Sequence, residues 1–144
     1  MAENEIIELA KKQVAALNAH DLESYVSRID GSYVGHTETS PEPIRGPEGV
    51  RANTGMLLTA FPDLKVEVQD ILASGDTVVT RVHVTGTHKA AFAGIPATNN
   101  RISIDGCTVV EFKNGKAVRA RTYSDTLTLM QQLGVVSLPR AASA

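Results

Sequence analysis

The sequence predicts an α+β fold, with helices packed on one face of a curved, mainly antiparallel sheet. Three observations carry that expectation. Apolar residues recur at helical spacing before Pro62 and alternate with polar ones through much of 64–125. Asn114-Gly115, the strongest hairpin signal in the chain, joins the last two strand-like runs. Helices followed by a strand meander is the order of a two-layer α+β domain.

The elements follow in order. Over 3–18, Ile7, Ala10, Val14 and Leu17 form one helical stripe, which 18–21 interrupts. Asp21 is placed to cap a short helix carrying Leu22, Tyr25, Val26 and Ile29. Asp30-Gly31-Ser32 reads as a turn, and Tyr33, Val34 and His36 as a short strand. A loop over 39–43 leads to a third helix that starts at Gly46, carries Pro47 in its first turn and stops at Pro62. Its buried stripe is Val50, Thr54, Leu57 and Phe61.

Strands are expected over 64–73 and 77–88, then a loop over 89–100 and a long strand over 101–112 with a bulge at Asp105-Gly106. In the last strand Arg119, Arg121, Tyr123 and Asp125 alternate with Val118, Ala120 and Thr122. A closing helix carries Leu127, Met130 and Leu133, with Gly134 as its stop. Residues 1–134 form one domain and 135–144 a tail.

A chain of 144 residues supports one sizeable core. Its net charge of -2, with both signs dispersed, offers no footprint for nucleic acid or an anionic membrane. The single Cys107 excludes an internal disulfide and a cysteine-rich metal site. The acidic N-terminus lacks the pattern of a signal peptide, and no apolar run approaches a membrane span, so a cytoplasmic location is expected.

Asp125, between the last strand and the last helix, is the leading acid/base candidate. It either caps that helix, which lowers a carboxyl pKa, or points into an apolar pocket, which raises it. Tyr123 and Arg121 share its face: Tyr123 either donates to a substrate oxygen or sits at the rim, and Arg121 either offsets an enolate charge or forms a surface ion pair. A three-residue hairpin loop sets Ser103, Asp105, Cys107 and Glu111 on that face; a two-residue loop sets Ile104 and Thr108 there. His36 lies in a strand expected to border the same concave space. His83 and Arg81 share one strand face, and no histidine pair has the H-x-x-x-H spacing of a helical zinc site. G-x-S-x-G, G-x-G-x-x-G and G-x-x-x-x-G-K-[ST] are absent, which leaves proton transfer without cofactor or metal as the chemistry open to an enzyme.

An ordered set of short motifs resembles the SnoaL-like polyketide cyclases, also called ester cyclases, of the nuclear-transport-factor-2-like fold. They are N-A-H-D-L at 18–22, P-I-R-G-P-E-G-V at 43–50, A-F-P-D-L at 60–64, G-D-T-V-V-T-R at 75–81, G-T-H at 86–88, G-I-P-A-T at 94–98, F-K-N-G-K at 112–116 and D-T-L-T-L-M-Q-Q-L-G at 125–134. The resemblance implies a cone-shaped barrel in which three helices close the sheet around a deep pocket. It implies aldol ring closure of a small hydrophobic carbonyl compound, with Asp125 as acid/base. His36, from its place in the strand beside that space, is a second catalytic candidate. Tyr123, Arg121, His83 and Arg81, with His88, Tyr33, Met56 and Phe61, are the substrate-binding candidates. The chain departs from the family pattern in having no tryptophan and in reading G-I-P-A-T-N where relatives read G-I-P-P-T-G. The same fold also supports isomerase or epoxide-hydrolase chemistry, or a binding module without turnover. A homodimer or homotetramer through the outer sheet face is expected.

Overall fold

The computed structural model describes residues 2–137 and 139. Of the expected tail, 138 and 140–144 lie outside the described residues; Val135 and Val136 are exposed. The elements are α1 (Glu3–Asn18), α2 (Leu22–Ser27), β1 (Ile29–Thr37), β2 (Ile44–Arg45), α3 (Gly46–Ala60), β3 (Lys65–Ser74), β4 (Thr77–Thr87), β5 (Arg101–Lys113), β6 (Lys116–Ser124) and α4 (Thr126–Gln132). The strands form one curved, unclosed sheet in the order β2-β1-β6-β5-β4-β3, antiparallel except where β1 runs parallel to β6. The α+β architecture is therefore as expected, with an open sheet where a barrel would close.

The first three helices lie on the concave face because their apolar stripes match its inward residues. Ile6, Ala10, Val26 and Val50 pack with Ile29, Val78, Phe112 and Ala117 in one apolar cluster. Phe61, Leu64, Val66, Val82, Ile102, Ile104, Leu129 and Leu133 form a second. Asn18 fixes the end of α1 to the edge strand. Its amide donates to Val66 O at 2.9 Å and its oxygen accepts from Val66 N at 2.7 Å, standing in for a strand partner. Asp21 caps α2 as expected, accepting from Ser24 N at 3.0 Å.

Several local expectations change. Ile29 belongs to β1, and Asp30-Gly31-Ser32 is an irregularity within that strand, held by Asp30 accepting from Ser32 N and Oγ at 2.9 and 2.6 Å. β2, two residues long, carried too little periodicity to be read as a strand. The register of β4 with β5 runs without a shift through Asp105 and Gly106, so no bulge occurs there. Leu129 is the buried position of α4 and Leu133, which caps its end, is buried too, while Leu127 is exposed.

The β5–β6 hairpin combines both loop alternatives. Lys113 pairs with Lys116 across a two-residue turn, with Asn114 and Gly115 at φ 52° and 80°, as a type I′ turn requires. A bulge then shifts the register: Phe112 pairs with Ala117 but Glu111 with Arg119, leaving Val118 extra. Beyond it Cys107 faces Tyr123 and Gly106 faces Ser124, the register of a three-residue loop. The bulge decides which side chains of β6 face the helices.

Candidate functional site

The concave face encloses two adjoining chambers between the helices and the sheet, of about 130 and 290 Å³. Leu17, Tyr25, Val82, Thr108 and Thr122 line both. The smaller is completed by Ala10, Gln13, Val14 and Tyr33, among others. The larger has the exposed Glu38 and Met56 at its mouth and is lined further by Thr39, Asn53, Ser124, Phe61 and Phe92. Phe92 belongs to the 89–100 loop and packs edge-on against Phe61, ring centroids 5.3 Å apart, so that loop forms one wall of the larger chamber.

Alternation along the strands decides what reaches this space. On β6, Ala120, Thr122 and Ser124 face the cavity. Arg121 and Tyr123 point outward and are exposed. The expectation that they line the pocket is corrected, because the charged phase of a one-sided sheet turns to water. His36 pairs with Arg121 and shares its outer face, while its neighbour Thr37 pairs with Thr122 and lines the cavity. Arg81 and His83 also lie outside. Arg81 binds Asp70 through Nε at 2.8 Å and Nη2 at 2.6 Å.

His83 sits between Asp105 Oδ1 (2.7 Å from Nδ1) and Ser103 Oγ (2.7 Å from Nε2), a Ser-His-Asp relay that the search for sequence motifs did not reveal. The backbone N–H of Ser103 is taken by Gln132 Oε1 at 2.8 Å, so the obvious oxyanion donor beside the relay is occupied. Replacing His83 with Ala is expected to leave turnover unchanged; an activity loss with the fold intact would place chemistry on the outer face.

His88 is wholly buried but lines neither chamber. It stacks on Phe61 at 5.4 Å and its Nδ1 accepts from Thr98 N at 3.2 Å, fastening the 89–100 loop to the core. Of the expected substrate-binding residues, Tyr33, Met56 and Phe61 do line the cavity.

Asp125 is exposed and N-caps α4, accepting from Thr128 N at 3.2 Å and Thr128 Oγ1 at 2.7 Å. These hydrogen bonds favour the charged carboxylate and hold its pKa below the ordinary value. The pocket-facing placement, with a raised pKa, is thus corrected. The strand ends at Ser124, and the chain turns there so that the carboxylate meets the first N–H groups of the helix. A depressed folded-state pKa contributes stability that is present above the unfolded value and lost as pH falls through the folded one. Asp125→Asn should therefore lower the melting temperature at neutral pH and by less in strong acid, with turnover retained. Asp63 is held low in the same way by Thr87 Oγ1 and N, both at 2.7 Å.

Among the described residues lining the two chambers, Glu38 is the only carboxylate, and no histidine, lysine or arginine lines either. Glu38 Oε1 accepts from Ser124 N and, at 3.3 Å, from Thr126 Oγ1, so the carboxylate is tied to the end of β6 at the cavity mouth. Tyr25 and Tyr33 supply phenols. Burial pushes both pKa values up, and the proximity of Tyr25 adds to the rise at Tyr33, so both remain O–H donors at neutral pH. The Tyr33 ring folds over Gly35: a Cβ there would lie 2.5 Å from the phenol oxygen. No group of three or more His, Cys, Asp or Glu among the described residues is arranged to hold a metal ion. No helix among them is long and apolar enough to cross a membrane.

Neither Glu38 nor Tyr25 was singled out for chemistry from the sequence. Glu38 follows a short strand at a loop boundary, and Tyr25 reads as part of an ordinary helical stripe. The available signal was phase: Thr37, Thr108 and Thr122 share parity with apolar inward residues, which marks their side of each strand as the cavity side.

Comparison with known proteins agrees with this architecture. The family model described as SnoaL-like polyketide cyclase matches residues 7–133. Aklanonic acid methyl ester cyclase DnrD of Streptomyces peucetius is 29% identical over 131 residues, covering 89% of this chain and 90% of the relative. Cyclase DauD of Streptomyces sp. strain C5, named for the same ester, is 29% identical over 132 residues, covering 89% and 81%. Among solved structures, TsrD of Streptomyces laurentii superposes with a TM-score of 0.83 at 25% identity, over 94% of this chain and 99% of its own. AclR of Streptomyces galilaeus, provisionally assigned as a hydroxylase, gives 0.83 at 29% identity, covering 94% and 100%.

Proposed function

Since the chain belongs to the SnoaL-like polyketide cyclase family, we propose that it closes a ring in a polyketide ester by intramolecular aldol condensation, with Glu38 as the acid/base. The observation that carries this reading is that Glu38 is the one carboxylate among the described residues lining a cavity whose other walls are apolar or uncharged polar.

Glu38 removes the proton from a carbon flanked by carbonyl groups. The resulting enolate carbon attacks a second carbonyl of the same molecule, forming a C–C bond and an alkoxide. Protonated Glu38 returns its proton to that alkoxide, so the reaction is redox-neutral and the mass is unchanged. Tyr25, in the wall shared by both chambers, is placed to donate a hydrogen bond where negative charge develops on oxygen. Leu57, Phe61, Val82 and Val84 supply the apolar walls that hold the reacting carbons and exclude water. No cofactor enters this sequence of steps.

The first substrate to test is aklanonic acid methyl ester, the compound named for two relatives. Conversion to an isomer of equal mass is expected, abolished in Glu38→Gln and retained in Asp125→Asn. The opposite pattern would return the acid/base role to Asp125. Tight binding without conversion, across several polyketide esters, would favour a binding module.

A further inference from the structure

Four threonines lie side by side across the cavity floor. Thr80 of β4 pairs with Thr108 of β5, Thr108 with Thr122 of β6, and Thr122 with Thr37 of β1. All four line the chambers: Thr80 the smaller, Thr37 the larger, and Thr108 and Thr122 both. The rows on either side are mainly small or apolar. One reads Val78, Val110, Ala120, Gly35 across the same strands, and the other contains Val82, Gly106 and Ser124.

Nothing in the sheet requires hydroxyls here, since valine has the same shape and an equal liking for strands. Thr37 Oγ1 is satisfied by Thr39 Oγ1 at 3.1 Å. Thr80, Thr108 and Thr122 make no side-chain hydrogen bond among the described residues. Yet the only buried, unpartnered side-chain polar atom among those residues is His88 Nε2. The three free hydroxyls are therefore open to the cavity.

We propose that Thr80, Thr108 and Thr122 form a hydrogen-bonding track that reads the spacing of oxygens along one edge of the substrate. This rests on the cavity being the substrate site, as in the function proposed above. Neighbouring strands set successive hydroxyls about 4.8 Å apart. Two successive C–C bonds of about 1.5 Å span about 2.5 Å, so oxygens on carbons four bonds apart recur at about 5 Å. A molecule with oxygen on every second carbon thus presents alternate oxygens at the pitch of the threonine row. Each hydroxyl can donate or accept, so the track takes carbonyl and hydroxyl oxygens alike. A bend or an oxygen-free edge puts the row against carbon and leaves the hydroxyls desolvated and unpaired.

The test uses two non-reacting isomers, 1,8-dihydroxyanthraquinone, which crowds three oxygens onto one edge, and 2,6-dihydroxyanthraquinone, which does not. Calorimetric titration of the intact protein should show the 1,8-isomer binding about tenfold tighter, the effect of two modest hydrogen bonds. Thr108→Val with Thr122→Val should bring the ratio near one without lowering the melting temperature. The serine pair at the same positions, which restores the hydroxyls, should recover the preference. Equal affinities in the native protein, no binding of either isomer, or a preference that survives the valine pair would overturn the track. Because binding is read without turnover, this failure stays distinct from that of the Glu38 mechanism, which is read from conversion in Glu38→Gln.

Discussion

Glu38→Gln is expected to lower kcat by about 10²–10⁴-fold, the usual contribution of a positioned general acid/base. The amide is nearly isosteric and its oxygen can still accept from Ser124 N and Thr126 Oγ1, so the end of β6 should keep its place. What the amide cannot do is take a proton from carbon. KM should move little, because the apolar walls and the phenols that hold the substrate are untouched. A kcat within a few-fold of the native value, with the same melting temperature, would remove Glu38 from the chemistry. The Asp125→Asn variant gives the complementary result, since it changes an exposed helix cap that lines neither chamber.

Phe61→Ala is expected to be the most damaging single change to stability, at about 3–5 kcal/mol. Phe61 follows the last residue of α3 and is 0% exposed. Its ring stacks on His88, meets Phe92 edge-on, and belongs to the apolar cluster that includes Leu64, Val82, Ile104 and Leu129. Truncation would remove the platform for the 89–100 loop as well as a cavity wall. For a chain of this length the corresponding fall in melting temperature is roughly 10–20 °C. Phe61→Leu keeps most of the apolar volume and should cost much less. A loss below about 1 kcal/mol for Phe61→Ala would mean that the cluster repacks freely around the site.

The sequence made the architecture legible wherever periodicity was strong and punctuation clear. α3 begins at Gly46-Pro47 and ends before Pro62 because proline fits only the first turn of a helix. β4 and β5 follow their alternation over more than ten residues each. The site was harder to read, first for a reason of phase. The alternation of Arg121, Tyr123 and Asp125 with Ala120 and Thr122 was visible, but the chemistry-bearing set was placed toward the pocket. In a sheet covered on one face, the charged set goes to solvent. The correct set of Thr122 and Ser124 looks bland because hydroxyls that serve a cavity look like ordinary strand residues. The bulge at Val118 compounds this, since a single unpaired residue exchanges the faces of everything beyond it. Nothing in Asn114-Gly115 reports that shift. Glu38 was hidden differently: its role depends on β1 running parallel to β6, a long-range pairing without local sequence signature.

The position of a bound ligand tests the central claim most directly. In crystals of the Glu38→Gln variant soaked with its polyketide ester, the acidic carbon should lie about 3–3.5 Å from the residue 38 carboxamide, inside the concave cavity and beneath Tyr25. A ligand seated on the convex face beside Tyr123 and Arg121, or one whose reacting carbon rests against Asp125, would contradict it.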